Sequence, residues 1–251
     1  MENKYNIGMK HICSEHGQTV LEVSLLIALL ILLIVGSIPS LRQSVISVFI
    51  RTEGALSQEL DEPFDSSPDS PRILWSDDLQ NLNQWTILQG NWEATDGFIR
   101  NTSDREGRIM TNFSGEDFVV NIEVAHLLRG NGYGVWLRAN NVSSDNHTQI
   151  NGYTFQYDPG YLGGEFIIRK WENGQEQEPL ARVSGEGYDW NDPHAIRVIV
   201  QGDTFTVFVD GEEKMTAQDS SYSSGYVGLR TWSDTRVEFS GFTVEALPED
   251  I

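Results

Sequence analysis

The chain has 251 residues, a formal net charge of −20, 39% hydrophobic residues and one cysteine, Cys13. An acidic surface repels phosphate backbones and anionic headgroups, which excludes nucleic acid as a partner and flat adsorption onto lipid as a function. One cysteine excludes an intramolecular disulfide, yet residence outside the cytoplasm stays open, because a domain of about 175 residues buries a sufficient core without staples.

In chain order, the first element is apolar. Residues 23–41 carry no charge, and their densest part reads V-S-L-L-I-A-L-L-I-L-L-I-V. At about 1.5 Å per residue this stretch spans roughly 28 Å, close to the hydrocarbon thickness of a bilayer. The sequence therefore predicts a single-pass membrane protein with the remainder outside the cytoplasm. Three readings of the segment stand. A cleaved signal peptide fits the apolar core, with Val35-Gly36-Ser37 as its cleavage site, although Glu2 and Glu15 offset Lys4 and Lys10. A signal anchor fits as well.

The third reading is more specific. Gly17 is followed by Gln18 and, before the apolar run, by Glu22. This junction resembles the processing and methylation motif of type IV pilins and pseudopilins. Counted from Gln18, Glu22 is fifth and Pro39 twenty-second, where those families place a glutamate and a helix-kinking proline. The departures are Gln18, where the family has phenylalanine, and a leader of 17 residues. The resemblance implies cleavage after Gly17 by a prepilin peptidase. It also implies assembly with other pilin-like subunits through Glu22, and a place in a cell-surface filament. A carboxylate at the edge of an apolar stretch costs about a few kcal/mol unless paired. The plainer alternative is that Glu22 sits at headgroup level.

Pro39 lacks a backbone donor and kinks the helix or ends its first half. Beyond it, Leu41, Val45, Val48, Thr52, Leu56 and Leu60 keep helical spacing, so a long helix over residues 18–60 follows a leader over 1–17. Residues 61–72 read D-E-P-F-D-S-S-P-D-S-P-R. Their prolines forbid helix and their acids repel, which makes an extended linker.

From residue 73 to 247 the pattern is one of short strands, with a tail at 248–251. Phe118 to Val124 and Ala195 to Val200 alternate apolar and polar. Gln201-Gly202-Asp203 turns into Phe205 to Val209, and Asp210-Gly211 marks a hairpin. Roughly a dozen such strands fit an all-β sandwich. Six segments then follow one another in the order seen in concanavalin-like, laminin-G-type jelly rolls. They are Gly90-Asn91-Trp92, Gly132 to Arg138, Gly152 to Phe155, Trp190 to Ile196, Phe208 to Gly211 and Gly225 to Arg230. The resemblance implies a two-sheet jelly roll with one concave sheet. Members bind glycans or proteins, some bind calcium and some hydrolyse sugars, so fold leaves function open.

Signals for catalysis are thin. Related glycosidases carry an E-x-D-x-x-E run, and none occurs here. His126, His147 and His194 lack metal-ligand spacing with one another. His194 reads as structural. No cofactor is called for; calcium is the one ion that the Asn140 to Asn146 loop could take, although it lacks the EF-hand pattern. Four glycosylation sequons occur, at Asn101, Asn112, Asn141 and Asn146.

Strand parity supplies a candidate binding face. Side chains alternate along a strand, so Trp136 and Arg138 oppose Tyr133, Val135 and Leu137. By the same rule Gln156 and Asp158 oppose Tyr153, Phe155 and Tyr157. Arg169 and Trp171 oppose Phe166 and Ile168, and Arg230 and Trp232 oppose Val227 and Leu229. If these strands are neighbours, Trp136, Arg138, Gln156, Asp158, Arg169, Trp171, Arg230 and Trp232 line one surface. Indole faces beside hydrogen-bonding groups suit a glycan or other surface polymer. The alternative is that the indoles are buried and the arginines are paired to acids. The reading is a pilin-like, membrane-anchored subunit that displays a recognition domain. The rivals are an anchored polysaccharide hydrolase and a pseudopilin-type interaction module of a secretion system.

Overall fold

The structure is a computed structural model and describes residues 71–143 and 147–248. The expected leader, membrane helix and nearly all of the linker lie outside the described residues, as do Gly17, Gln18, Glu22, Pro39 and residues 144–146 of the Asn-rich loop.

The described residues form fifteen strands in two antiparallel sheets. One sheet has the order β13 (Glu212–Gln218), β12 (Thr204–Val209), β11 (Pro193–Gln201), β6 (Phe118–Arg129), β15 (Arg236–Glu245), β4 (Phe98–Asn101), β3 (Trp92–Thr95). Its eighth strand, β1 (Ile73–Ser76), pairs with β15. The other sheet has the order β10 (Gln175–Ser184), β9 (Glu165–Glu172), β8 (Asn151–Asp158), β7 (Tyr133–Asn140), β14 (Gly225–Thr231), β5 (Gly107–Gly115), β2 (Trp85–Gln89). The strands beyond the expected dozen are the short ones near the amino end of the domain, where the alternation covers too few residues to be read.

Alternation builds the core. Ile196, Val198 and Val200 of β11 and Phe205, Val207 and Val209 of β12 point inward and are buried. Tyr133, Val135 and Leu137 of β7, with Tyr153, Phe155 and Tyr157 of β8, face them from the other sheet. Tyr133 stacks on Tyr157 at 4.8 Å and meets Phe239 of β15 edge-on at 5.1 Å, so aromatic contacts tie the sheets together. Burying one such side chain contributes roughly 1.5–3 kcal/mol. The Asp210-Gly211 pair forms the expected two-residue turn between β12 and β13.

A second apolar cluster lies outside this core. Leu88, Met110, Trp136, Ala139, Ile150 and Trp171 pack together on the opposite side of the seven-stranded sheet. That sheet is thus covered on both faces, and the outward one carries the candidate site.

Candidate functional site

Register places the site. Arg108 of β5 pairs with Arg230 of β14, Arg230 with Gly134 of β7, and Gly134 with Gln156 of β8. Paired residues in an antiparallel sheet share a face, so these four stand in a row across it. Gly134 leaves a gap in the row, and Arg230 lies across it: a Cβ at Gly134 would come within 2.8 Å of Arg230 Cγ.

Arg230 is the hub. Its guanidinium carbon lies 4.5 Å from the Trp171 ring and 5.0 Å from the Trp232 ring, held between two indoles. Its Nη1 donates to Glu176 Oε1, and its Nη2 donates to Glu106 Oε1 at 3.1 Å. Glu106 Oε1 also accepts from Arg108 Nε at 3.0 Å and Nη2 at 2.8 Å, and the Arg108 guanidinium lies 5.3 Å from Trp171. On the far side, Gln156 Nε2 donates to Glu176 Oε1 at 3.0 Å. Arg169 Nε donates to Gln156 Oε1 at 3.1 Å and lies 3.6 Å from Glu176 Oε2. The half-buried Tyr161 ring lies 5.2 Å from the Arg169 guanidinium.

Guanidiniums and carboxylates therefore alternate along one network. The cations lie deep, with the Arg230 side chain 6% exposed, while the anions reach solvent, Glu106 at 28% and Glu176 at 35%. Asp158 stands at the edge and accepts from the Gly160 N–H at 3.1 Å. Burial pushes its carboxyl up to about 6 and the charge of Glu176 adds to the shift, against the Gly160 N–H, Arg169 and Arg230.

Of the residues expected to share this face, Trp136, Gln156, Asp158, Arg169, Trp171, Arg230 and Trp232 are brought together around the network. Trp136 and Trp171 meet at 4.9 Å. Arg138 is not among them. It has a φ of 49°, and the β7–β8 register shifts between Leu137 and Asn140, so alternation breaks at that point. Trp136 and Ala139 face outward together, whereas Arg138 turns to the other side and lies 5.6 Å from the Phe205 ring. There it donates to Glu116 O at 2.8 Å, Tyr222 O at 3.1 Å and Asp117 Oδ1 at 3.1 Å, pinning two loops.

A second correction concerns exposure. Trp136 and Trp171 are 0% and 3% exposed and offer no open ring; Trp171 lies beneath the guanidiniums of Arg108 and Arg230, and Trp136 packs against it. Trp171 Nε1 donates to Thr154 Oγ1 at 2.9 Å. Trp232 alone of the three is partly open to solvent.

Sequence reasoning missed Glu106, Arg108, Tyr161 and Glu176. Arg108 was within reach of the same rule, since it and Met110 flank the inward Ile109. Glu106 sits in a loop and Glu176 beside register shifts in the edge strand β10, where parity says nothing. His194 bonds Asp210 Oδ2 at 2.6 Å and Asp189 O at 2.8 Å, and so ties a loop to the β12–β13 turn. Among the described residues no cluster of His, Cys, Asp and Glu is placed to hold a metal.

Comparison with known proteins follows the same outline. Residues 75–245 match the 3-keto-alpha-glucoside-1,2-lyase-like domain family. Over 171 residues the chain is 30% identical to a levanase of Bacillus subtilis (strain 168); the match covers 67% of this chain and 24% of the levanase, about a quarter of that protein. The carbohydrate binding module CBM66 from Bacillus subtilis superposes with a TM-score of 0.56 at 27% identity, over 66% of this chain and 98% of the module. The exoplasmic/lumenal domain of VIP36, in its Ca2+-bound form, superposes with a TM-score of 0.52 at 14% identity, over 68% of this chain and 88% of that one. A Bacillus subtilis protein of unknown function with a galectin-like fold gives 0.53 at 14% identity, over 70% and 96%. The last two show the fold alone, a lectin-type β-sandwich.

Proposed function

Because the chain belongs to the 3-keto-alpha-glucoside-1,2-lyase-like domain family, we propose that its β domain is a carbohydrate-binding module held at the cell surface by a pilin-like amino-terminal segment. One observation carries the binding half: Arg230, 4.5 Å from the Trp171 ring and 5.0 Å from the Trp232 ring, joins Glu106 to Glu176, whose carboxylates reach solvent on the outward face of the seven-stranded sheet. Sugar hydroxyls donate and accept at once. A row of alternating carboxylates and guanidiniums meets both needs, and charge-assisted bonds of this kind contribute roughly 1.5–3 kcal/mol each. The pairs are formed before the ligand arrives, so little side-chain entropy is lost on binding. The open part of Trp232 offers a surface for sugar C–H groups.

The levanase and the carbohydrate binding module make levan the first ligand to try. The anchoring half rests on Gly17, Gln18, Glu22 and Pro39, with cleavage by a prepilin peptidase and assembly with other pilin-like subunits through Glu22.

A second reading, that the face processes its sugar, is favoured by Asp158. A carboxyl pushed up to about 6 can trade a proton near neutrality. Against it, hydrolysis asks for an acid and a facing carboxylate, and the two carboxylates nearest Arg230 are both committed to it.

Calorimetry of the full chain in detergent against levan tests the binding half. Wild-type binding that is lost in Arg230→Ala supports it, and wild type showing no heat with levan or with a panel of other polysaccharides sinks it. Release of sugar from levan would instead establish the second reading. Mass spectrometry of the mature protein tests the anchor: a start at Gln18 is expected, and a start at Met1 or near Ile38 excludes the pilin-like route.

A further inference from the structure

We propose that Asn101, a buried residue outside the sugar-binding face, is a positioning residue: its side-chain amide joins the two backbone segments that carry Glu106 and Arg230 and sets the ion pair between them. This rests on the reading of that face as the binding site.

The ladder between β5 and β14 ends at the pair Gly107–Thr231. Glu106 lies one residue past it, in a loop, so the sheet by itself does not place its carboxylate. Asn101 closes β4 beside that loop and is 1% exposed. Its Nδ2 donates to Thr231 Oγ1 at 2.8 Å and to the Arg105 carbonyl at 3.1 Å. Thr231 is the neighbour of Arg230, and Arg105 the neighbour of Glu106. Both donors of the amide are thus spent on the two backbones whose side chains meet at 3.1 Å.

The acceptor side fixes the rest of the loop. Asn101 Oδ1 accepts from the Asn91 N–H at 3.2 Å, the Ser103 N–H at 3.1 Å and Ser103 Oγ at 2.8 Å. The amide has no room to move, since a Cβ on Gly107 would lie 2.5 Å from its nitrogen. Ser103 Oγ also donates to the Arg105 carbonyl, at 3.2 Å, and Asn101 Nδ2 joins that carbonyl to Thr231 Oγ1.

The test uses the full chain with nitrogen-15-labelled arginine, and needs four variants. Thr231→Val removes the acceptor and keeps the shape, Thr231→Ser restores it, Asn101→Asp removes both donors, and Glu106→Gln weakens the anchored pair. Without ligand, NMR reads rotation of the Arg230 guanidinium. Rotation should be about fivefold faster in Thr231→Val, the size expected for one lost hydrogen bond, at least that much faster in Asn101→Asp, which loses two, and normal in Thr231→Ser.

With levan as the probe, the same two substitutions lower affinity about fivefold in the wild-type background and less than about twofold in Glu106→Gln, where the anchored pair is already weakened. Unchanged rotation, or an equal loss of affinity in both backgrounds, overturns the inference and leaves Asn101 a structural residue. If wild type fails to bind levan, the binding proposal is what falls, and the ligand-free arm still decides the role of Asn101. Should Asn101→Asp fail to fold, the Thr231 pair decides alone.

Discussion

The outward faces of the two sheets differ, although the strands that build them share one plan. On the eight-stranded sheet, β11 and β12 alternate buried and open positions from end to end, and the outward side chains meet solvent. On the seven-stranded sheet, β7, β8 and β14 are buried on both sides for most of their length. Strand side chains supply most of this cover, and loop residues such as Ile150, Val142 and Glu106 complete it. Indoles, methionine and isoleucine form one layer, and arginines paired to glutamates form the next. Buried charge is the informative kind of burial, because it holds only where partners are placed for it. The contrast teaches that the two outward faces are finished differently, one by solvent and the other by a layer of paired charges, and the proposed sugar-binding role rests on the second.

The largest test of this contrast is mechanical. Trp136 points away from the sandwich core, yet Trp136→Ala should cost about 3–5 kcal/mol, because it empties a packed layer. Thr206→Ala, outward on the other sheet, should change stability by less than about 0.5 kcal/mol. Urea denaturation followed by circular dichroism reads both, and similar values for the two would dissolve the distinction between the faces.

Next in size is Arg230→Ala, which leaves Glu106 and Glu176 without their shared cation. Affinity for levan should drop by roughly 2–3 kcal/mol, about 30- to 150-fold. Arg230→Lys should not rescue it, since an ammonium cannot reach two carboxylates and fill the slot between two indoles. Full rescue by lysine would mean that charge alone matters there.

A smaller effect concerns pH. The Asp158 carboxyl is raised from 3.8 to about 6 in the folded chain. Between those values the folded state keeps a proton that the unfolded state has released, so this residue's contribution to stability falls as pH rises through the window. Asp158→Asn keeps the neutral form throughout. Its stability relative to wild type should therefore climb between pH 4 and 6, within about that window, in paired urea titrations. A flat difference would show that Asp158 titrates alike in both states.

The smallest expected effect is none. A fragment spanning residues 71–248 should melt like the β domain of the full chain, because both sheets and both apolar layers lie within it. A fragment that is unfolded, or that melts well below the parent, would show that the sandwich leans on the segment before it.

Period-two alternation determined much of this protein from the sequence alone. It marked the all-β domain, the inward residues of β7, β8, β9 and β14, and outward partners such as Gln156, Arg169, Trp171 and Arg230. Those are local properties, since each follows from which way neighbouring side chains point along one strand. The pilin-like readings of Gly17, Gln18, Glu22 and Pro39 are local too, and they stay with the sequence, outside the described residues. Tertiary structure decided the rest. Arg138 left the face because a left-handed residue at a register shift reverses parity, and alternation carries no warning of that. Trp171 became a floor because Arg108 and Arg230, from other strands, lie over it, and Trp136 is buried against it. Glu106, Glu176 and Asn101 entered through contacts 124, 54 and 130 residues apart. Partners so distant are chosen by the order in which strands pair, and that order is a property of the whole sandwich, which no single strand contains.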